Sequence, residues 1–188
     1  IFLFLDMEKA FDRVSYAFLA EGLTSLGFGP KFRQTIGMMY DTERAPKRRI
    51  YANGYYSDWF DIKSGVAQGC PLSPMLFLVV AQGLKIAMEL EGVKGIKIGT
   101  IEAMISQFAD DTTLILKNKD QIAVANRALR RWCAATCMRE NMAKREGLAM
   151  GTYRGNSIFE QPLRTPPPEC TDVRQICAGI KWAPENSW

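Results

Sequence analysis

The sequence predicts an α+β domain, with helices covering one face of an antiparallel sheet, and three observations carry that prediction. Strand-like and helix-like segments are interleaved, in the order β-α-α-ββ-α-ββ-α-β, rather than grouped in blocks. Two apolar stretches, residues 1–5 and 101–116, read as strands and are broken by acids, at Asp6 and at Asp110-Asp111. Three further segments place apolar side chains three to four residues apart, the period of a helix with one buried side.

Residues 1–5 form a continuous apolar run, as in a strand buried on both faces, and it stops at Asp6. Ser15 is placed to cap a helix carrying Leu19, Leu23 and Leu26, which ends at Gly27. Pro30 opens a second helix with Phe32, Ile36 and Met39 on one face. Residues 47–62 read as a hairpin, because aromatic and β-branched residues flank Asn53-Gly54, a strong short turn signal.

Pro74 begins an apolar helix running to about Glu91, and Gly92, Gly95 and Gly99 punctuate the next stretch of chain. Residues 101–116 read as two strands folded back around Ala109-Asp110-Asp111. Asp120 is expected to cap a helix with Ile122, Ala125, Leu129 and Trp132 inward and Arg127, Arg130 and Arg131 outward. Residues 152–172 turn Pro-rich and non-periodic, as a loop does. No internal repeat is visible.

At 188 residues the chain is one domain, or one domain with a tail, and long enough to bury a core. A net charge of +4 and a pI near 8.8 are compatible with a polyanionic partner without requiring one. The absence of histidine removes Ser–His and Cys–His nucleophilic machinery, histidine general bases and most zinc sites. Carboxylates remain as the chemical actors.

Five cysteines without CxxC spacing suit buried or free thiols in a reducing compartment. Cys133 and Cys137 lie four apart on a helix but lack a second ligand pair. No signal peptide is visible, and the longest apolar runs look too short to span a bilayer, so no membrane partner is expected. The chain starts at Ile1, inside a strand pattern, and reads as a piece of something longer.

The acids sit where strands meet turns, between apolar neighbours such as Phe108 and Leu114. Carboxylates that close repel unless a cation compensates, and an all-oxygen donor set suits Mg²⁺ or Mn²⁺. Two such ions roughly 4 Å apart would serve an in-line displacement at phosphorus. Singly, an Asp-Asp turn is most often solvated, and an Asp after a strand is often a helix cap. Both acids in this order, pressed by apolar residues, outweigh those plainer readings.

In the loop GVAQGCPLSP at 65–74, Gly65 and Gly69 allow unusual backbone angles, and Pro71 and Pro74 stiffen its exit. Gln68 offers a donor and an acceptor to a sugar or base, and Ser73 lies where it could cap the next helix or touch a phosphate. Phe11 either bars a ribose 2′-hydroxyl or is the first core residue of a helix. Residues 119–145 hold seven Lys/Arg against two Asp/Glu, a weak signal for phosphate contact.

Together LDMEKAFDRV, GVAQGCPLSP and FADD resemble motifs A, B and C of reverse transcriptases, specifically the non-LTR (LINE-like) retrotransposon type. Group II intron maturases typically read QGGxxSP with YADD, and viral RNA-dependent RNA polymerases end motif C in GDD, so QGCPLSP with FADD favours the non-LTR branch. The stretch NGYYSDWFDIKSGVAQG also resembles that family's approach to motif B, and the resemblance covers roughly residues 1–150.

The resemblance implies a right-hand polymerase palm with an antiparallel sheet of ferredoxin-like character. Residues 1–150 would be that palm, motifs A to D without fingers or thumb. Residues 151–188 would be a Pro-rich loop and C-terminal strand at the start of the primer-grip or thumb region.

It further implies RNA-directed DNA polymerase activity with an RNA template, a DNA primer, dNTPs and two Mg²⁺ ions. Asp6, Asp110 and Asp111 match the family's metal-binding aspartates, with the backbone at Met7 helping to hold a metal. Phe11 matches the steric gate, Gln68 and Gly69 the lining of the incoming nucleotide, and Ser73 and Pro74 the helix start beside the template–primer. Asn141 and Lys144 resemble motif D, whose lysine lies near the departing pyrophosphate. Ala67 stands where Arg or Pro is common, and Arg145-Glu146 where Ser/Thr is usual. A working non-LTR element implies an intracellular, nuclear setting. The rival expectations are a non-catalytic nucleic-acid-binding remnant of a decayed retroelement and an intron-type polymerase of the same class.

Overall fold

The structure is a computed structural model, and it describes residues 1–41 and 43–154. In chain order the elements are β1 (Phe2–Leu5), α1 (Tyr16–Ser25), α2 (Pro30–Met39), β2 (Lys47–Arg48), β3 (Tyr51–Ala52), β4 (Tyr55–Tyr56) and β5 (Phe60–Asp61). They continue with α3 (Ser73–Leu90), β6 (Ile96–Ile98), β7 (Ile101–Ala103), β8 (Ile105–Phe108), β9 (Asp111–Ile115), α4 (Asp120–Thr136) and β10 (Glu146–Leu148). Short 3₁₀ turns occupy Ala10–Arg13, Met142–Lys144 and Gly151–Tyr153.

A four-stranded antiparallel sheet in the order β10-β1-β9-β8 organises the domain. Its alternation shows which face is inward: Leu3 and Leu5 of β1 and Thr112 and Leu114 of β9 are buried, while Phe4 is exposed. Residues 1–5 are therefore a strand buried mainly on one face, not on both. The covering layer is helical. The Trp132 indole on α4 donates to the Val80 carbonyl on α3 at 2.9 Å. Gly83 lets the rings of Phe18 and Trp132 close over α3, since a Cβ there would lie 2.7 Å from Phe18 Cζ. Each fully buried leucine in this layer contributes roughly 1.5–3 kcal/mol.

Local signals set the helix ends. The Ser15 hydroxyl accepts from the Phe18 amide at 3.3 Å and starts α1. At its other end Gly27 takes φ 75°, so that the Gly27 and Phe28 amides donate to the Thr24 and Leu23 carbonyls. Pro30 opens α2 at its first position.

Residues 47–62 form the expected hairpin, in two ladders. Asn53 and Gly54, both with positive φ, turn β3 onto β4, and Lys47 and Arg48 of β2 pair with Asp61 and Phe60 of β5. Between the ladders the Ser57 amide donates to the Ile50 carbonyl and the Ile50 amide to the Ser57 hydroxyl.

Several details depart from expectation. Helix α3 begins at Ser73, one residue before Pro74. Asp120 is the first helical residue rather than the cap, and the Asn118 side chain accepts the Gln121 amide instead. Residues 96–103 fold into an unforeseen hairpin, β6–β7, for which Gly95 must lack a side chain: a Cβ would sit 2.1 Å from the Ala103 carbonyl oxygen. The helix Ser73–Leu90 is long and apolar enough to cross a membrane, contrary to the expectation from run length, but 61% of it is buried inside the fold as a core helix. Of the region 151–188, residues 155–188 lie outside the described residues, and with them the expected loop and strand.

Candidate active site

Sheet register brings the acids together. Leu5 pairs with Thr112 and Phe108 with Asp111, so the next step along β1 and back along β9 is Asp6 beside Asp111, with Asp110 on the turn. Asp6 and Asp110 line one cavity of about 570 Å³, together with Met7, Glu8, Lys9, Arg13, Asn141 and Lys144. Ala109, immediately before Asp110, and Lys9, three residues after Asp6, both hold φ near 50°. Left-handed geometry is costly for side chains with a Cβ, and here it flanks both acids.

The segment after α4 fixes Asp6 from the other side. Met7 and Glu140 form an isolated antiparallel bridge, the Glu8 amide donates to the Arg139 carbonyl, and the Asn141 amide donates to the Asp6 carbonyl at 2.8 Å. A 3₁₀ turn then carries Lys144 round to Asp6, Nζ to Oδ2 at 3.3 Å. Behind it Arg145 and Glu140 form a buried ion pair at 3.3 Å, and the Arg145 guanidinium donates to the Asn126 side chain of α4. Burial pushes the Glu140 carboxyl up and the Arg145 guanidinium down from their ordinary values, each partner opposing that shift in the other. The nearby Cys133 thiol is pushed up to about 12, by burial first and then by Glu140.

Asp6, Met7, Asp110 and Lys144 thus share one cavity, while the other expected site residues are placed differently. Asp111 is exposed at the head of β9, opposite Asp6 in the register and therefore on the same side of the sheet, but outside the cavity lining. Among the described residues no set of three His, Cys, Asp or Glu side chains converges as a metal cage, so the expected three-acid cradle is not closed.

Phe11 stacks on Phe77 of α3, centroids 4.9 Å apart, and its carbonyl accepts the Val66 amide. Gln68 donates to the Asp12 carboxylate at 3.4 Å, and Gly69 is exposed with φ 83°. Ser73 departs from its expected role: it is buried and its hydroxyl donates to the Ala67 carbonyl at 2.6 Å, closing the loop rather than facing a ligand.

Asp6 and Asp110 present hard oxygens to an open cavity whose lining offers no imidazole or thiolate, a donor set that fits Mg²⁺ or Mn²⁺. Lys9, Arg13 and Glu8 also line it and were not singled out from the sequence. The available signal was their place on the short turn that follows Asp6, Glu8 and Lys9 before the 3₁₀ segment and Arg13 at its end.

An antiparallel sheet with helices packed on it carries two acids, at a strand end and a strand turn, on a cavity lined by charges of both signs. Residues 1–167 match the family described as reverse transcriptase (RNA-dependent DNA polymerase), and the chain belongs to that family. Its relatives come from non-LTR retrotransposons.

The "Transposon TX1 uncharacterized 149 kDa protein" of Xenopus laevis is 30% identical over 81% of this chain, which spans 12% of that protein. The "Retrovirus-related Pol polyprotein from type-2 retrotransposable element R2DM" of Drosophila melanogaster is 30% identical over 61% of the chain, which spans 10% of it. The "RNA-directed DNA polymerase from mobile element jockey", also of Drosophila melanogaster, is 27% identical over 65%, and the chain spans 12% of it. Among solved structures, apo telomerase from Candida tropicalis shares the fold, with TM-score 0.51 and 17% identity over 80% of this chain and 31% of that one.

Proposed function

We propose that this chain is the palm of an RNA-directed DNA polymerase, of right-hand, ferredoxin-like architecture, extending a DNA primer 3′-hydroxyl with dNTPs on an RNA template. The observation that carries the proposal is the meeting of Asp6 and Asp110 at one cavity whose walls also hold Lys9, Arg13 and Lys144. Such a site answers the chemistry of a nucleoside triphosphate, which brings both a reacting phosphorus and several negative charges.

Asp6 and Asp110 would hold Mg²⁺, with Asp111 joining from the head of β9 and the Met7 backbone as a further oxygen. When bound, a pair of such ions supplies charge neutralisation for the attacking and leaving oxygens. The chain's own residues do the rest by placement. Lys9, Arg13 and Lys144 set positive charge where phosphate oxygens lie, a preorganised field that needs no rearrangement during reaction. Phe11, braced by Phe77, is stiff enough to act as a steric gate, and Gln68, bonded to the neighbouring Asp12 carboxylate, would with Gly69 meet the incoming nucleotide.

The test is primer extension on an RNA template by the full-length parent protein. Asp110→Asn is expected to abolish incorporation, by on the order of 10³-fold or more. Unchanged incorporation overturns the site, and salt-sensitive binding of primer–template by the wild type without any extension favours the binding-remnant reading instead.

A further inference from the structure

The β2–β5 hairpin has a surface that the catalytic reading leaves unused. Every residue from 47 to 61 is exposed, including Tyr51, Tyr55, Tyr56, Trp59 and Phe60. Tyr55 is 80% and Trp59 61% exposed, far from the usual fate of large rings. The rings are also organised. The Arg49 guanidinium lies 3.8 Å over the Tyr56 ring and 4.9 Å from that of Trp59, and Tyr51 and Tyr56 face each other across the ladder at 4.7 Å.

Charge narrows the choice of occupant. Within the hairpin Lys47, Arg48 and Arg49 stand against Asp58 and Asp61, and Arg44 and Lys63 flank it. Flat aromatic faces interleaved with cations match a ligand that is both polyanionic and rich in accessible π-faces. Single-stranded nucleic acid is that ligand, since a duplex keeps its base faces stacked inside.

Position narrows it further. The hairpin base runs directly into the 65–74 loop, whose Gly65 and Val66 amides donate to the Val14 and Phe11 carbonyls, and the Ser64 hydroxyl donates to the Asp12 carbonyl. The platform is therefore anchored to the segment that carries Asp6. Arg13, between the bonded Asp12 and Val14, is part of the cavity lining, which links the hairpin base to the cavity wall.

We infer that the β2–β5 hairpin is a stacking platform for the unpaired stretch of the RNA template, with Tyr56, Trp59 and Tyr51 taking base faces and Lys47 and Arg48 taking phosphates. This rests on the polymerase reading for the identity of the strand, not for the chemistry of the surface.

The experiment measures binding of fluorescently labelled RNA–DNA hybrids to the full-length parent protein, one hybrid with a long unpaired RNA overhang and one blunt. Replacing Tyr56 and Trp59 together by alanine is expected to weaken binding of the overhang hybrid roughly tenfold or more, leaving the blunt hybrid unchanged. Lys47→Ala with Arg48→Ala is expected to flatten the salt dependence on the overhang hybrid, by about one unit of log–log slope per lost phosphate contact. Trp59→Phe is expected to retain binding, because the π-face remains.

Unchanged overhang binding in the double aromatic variant overturns the inference, as does an equal loss on both hybrids. Protection of these rings from chemical modification before RNA is added also overturns it, by showing a protein segment on the face. If the wild type binds through the overhang but never extends a primer, the polymerase reading falls and the platform stands.

Discussion

Each acid at the site is governed by its immediate neighbours. Asp6 is held through its carbonyl by the Asn141 amide and through its carboxylate by Lys144, so both ends of one residue are tied to the segment after α4. That segment is tied in turn by Arg145, which pairs with Glu140 inside the protein. Removing one member of a buried pair leaves a bare charge, so Arg145→Met is expected to cost about 3–5 kcal/mol in urea unfolding. Adding Glu140→Met to it is expected to recover most of that loss.

Phe11 sets a second residue-scale prediction. Its ring is stacked on Phe77 rather than free to swing, and trimming it opens space that no neighbour fills at once. Phe11→Val in the full-length parent protein is expected to raise the ratio of ribonucleotide to deoxynucleotide incorporation roughly tenfold or more in single-nucleotide extension. No change in that ratio removes Phe11 from the gate.

Among the elements, α3 and α4 are locked at one end by charge. Glu91, just past α3, accepts from Arg131 at 3.0 Å and Arg127 at 3.3 Å, both on α4. The Arg131 hydrogen bond first, against the opposing effect of burial, and then Arg127 hold the Glu91 carboxyl below its ordinary 4.5. A lowered folded value means that the ionised form stabilises the fold above 4.5, and that this contribution is lost as pH falls through the folded value. Glu91→Gln is therefore expected to be less stable than wild type at pH 7. The gap should close on acidification below 4.5, as followed by thermal unfolding across pH.

The same scale shows what the sequence exposes and what it hides. Strand β1, the β8–β9 turn, the Ser15 cap and the Asn53-Gly54 hairpin are legible because each depends on residues within a few positions of one another. The β6–β7 pair is not, since three-residue exposed strands leave no alternation to read. Asp120 and Asn118 are equally good caps by type, and only backbone angles decide between them. The Lys144–Asp6 and Arg145–Asn126 contacts join distant positions, and no local pattern announces them. Ser73 misleads for a related reason: a hydroxyl at a helix start serves a ligand or the loop equally well until the loop's path is known.

For the molecule as a whole, the site is a product of strand alignment. Asp6 and Asp110 are about a hundred positions apart in the chain, yet they meet because Phe2 to Leu5 run against Ile115 to Thr112 without a break. The helical layer behind them fixes that alignment by burying Leu3, Leu5 and Leu114 on a single side.

The alignment also makes the domain a counter of odd and even. One extra alanine between Leu3 and Phe4 would send Leu5 outward and Phe4 inward, and carry Asp6 out of step with the turn it must face. Such an insertion is expected to silence primer extension, whereas an alanine added at the exposed Gly99-Thr100 bend should be tolerated. Drift in this lineage can thus lengthen the outlying ribbon freely, while the central one admits substitution but no change of length.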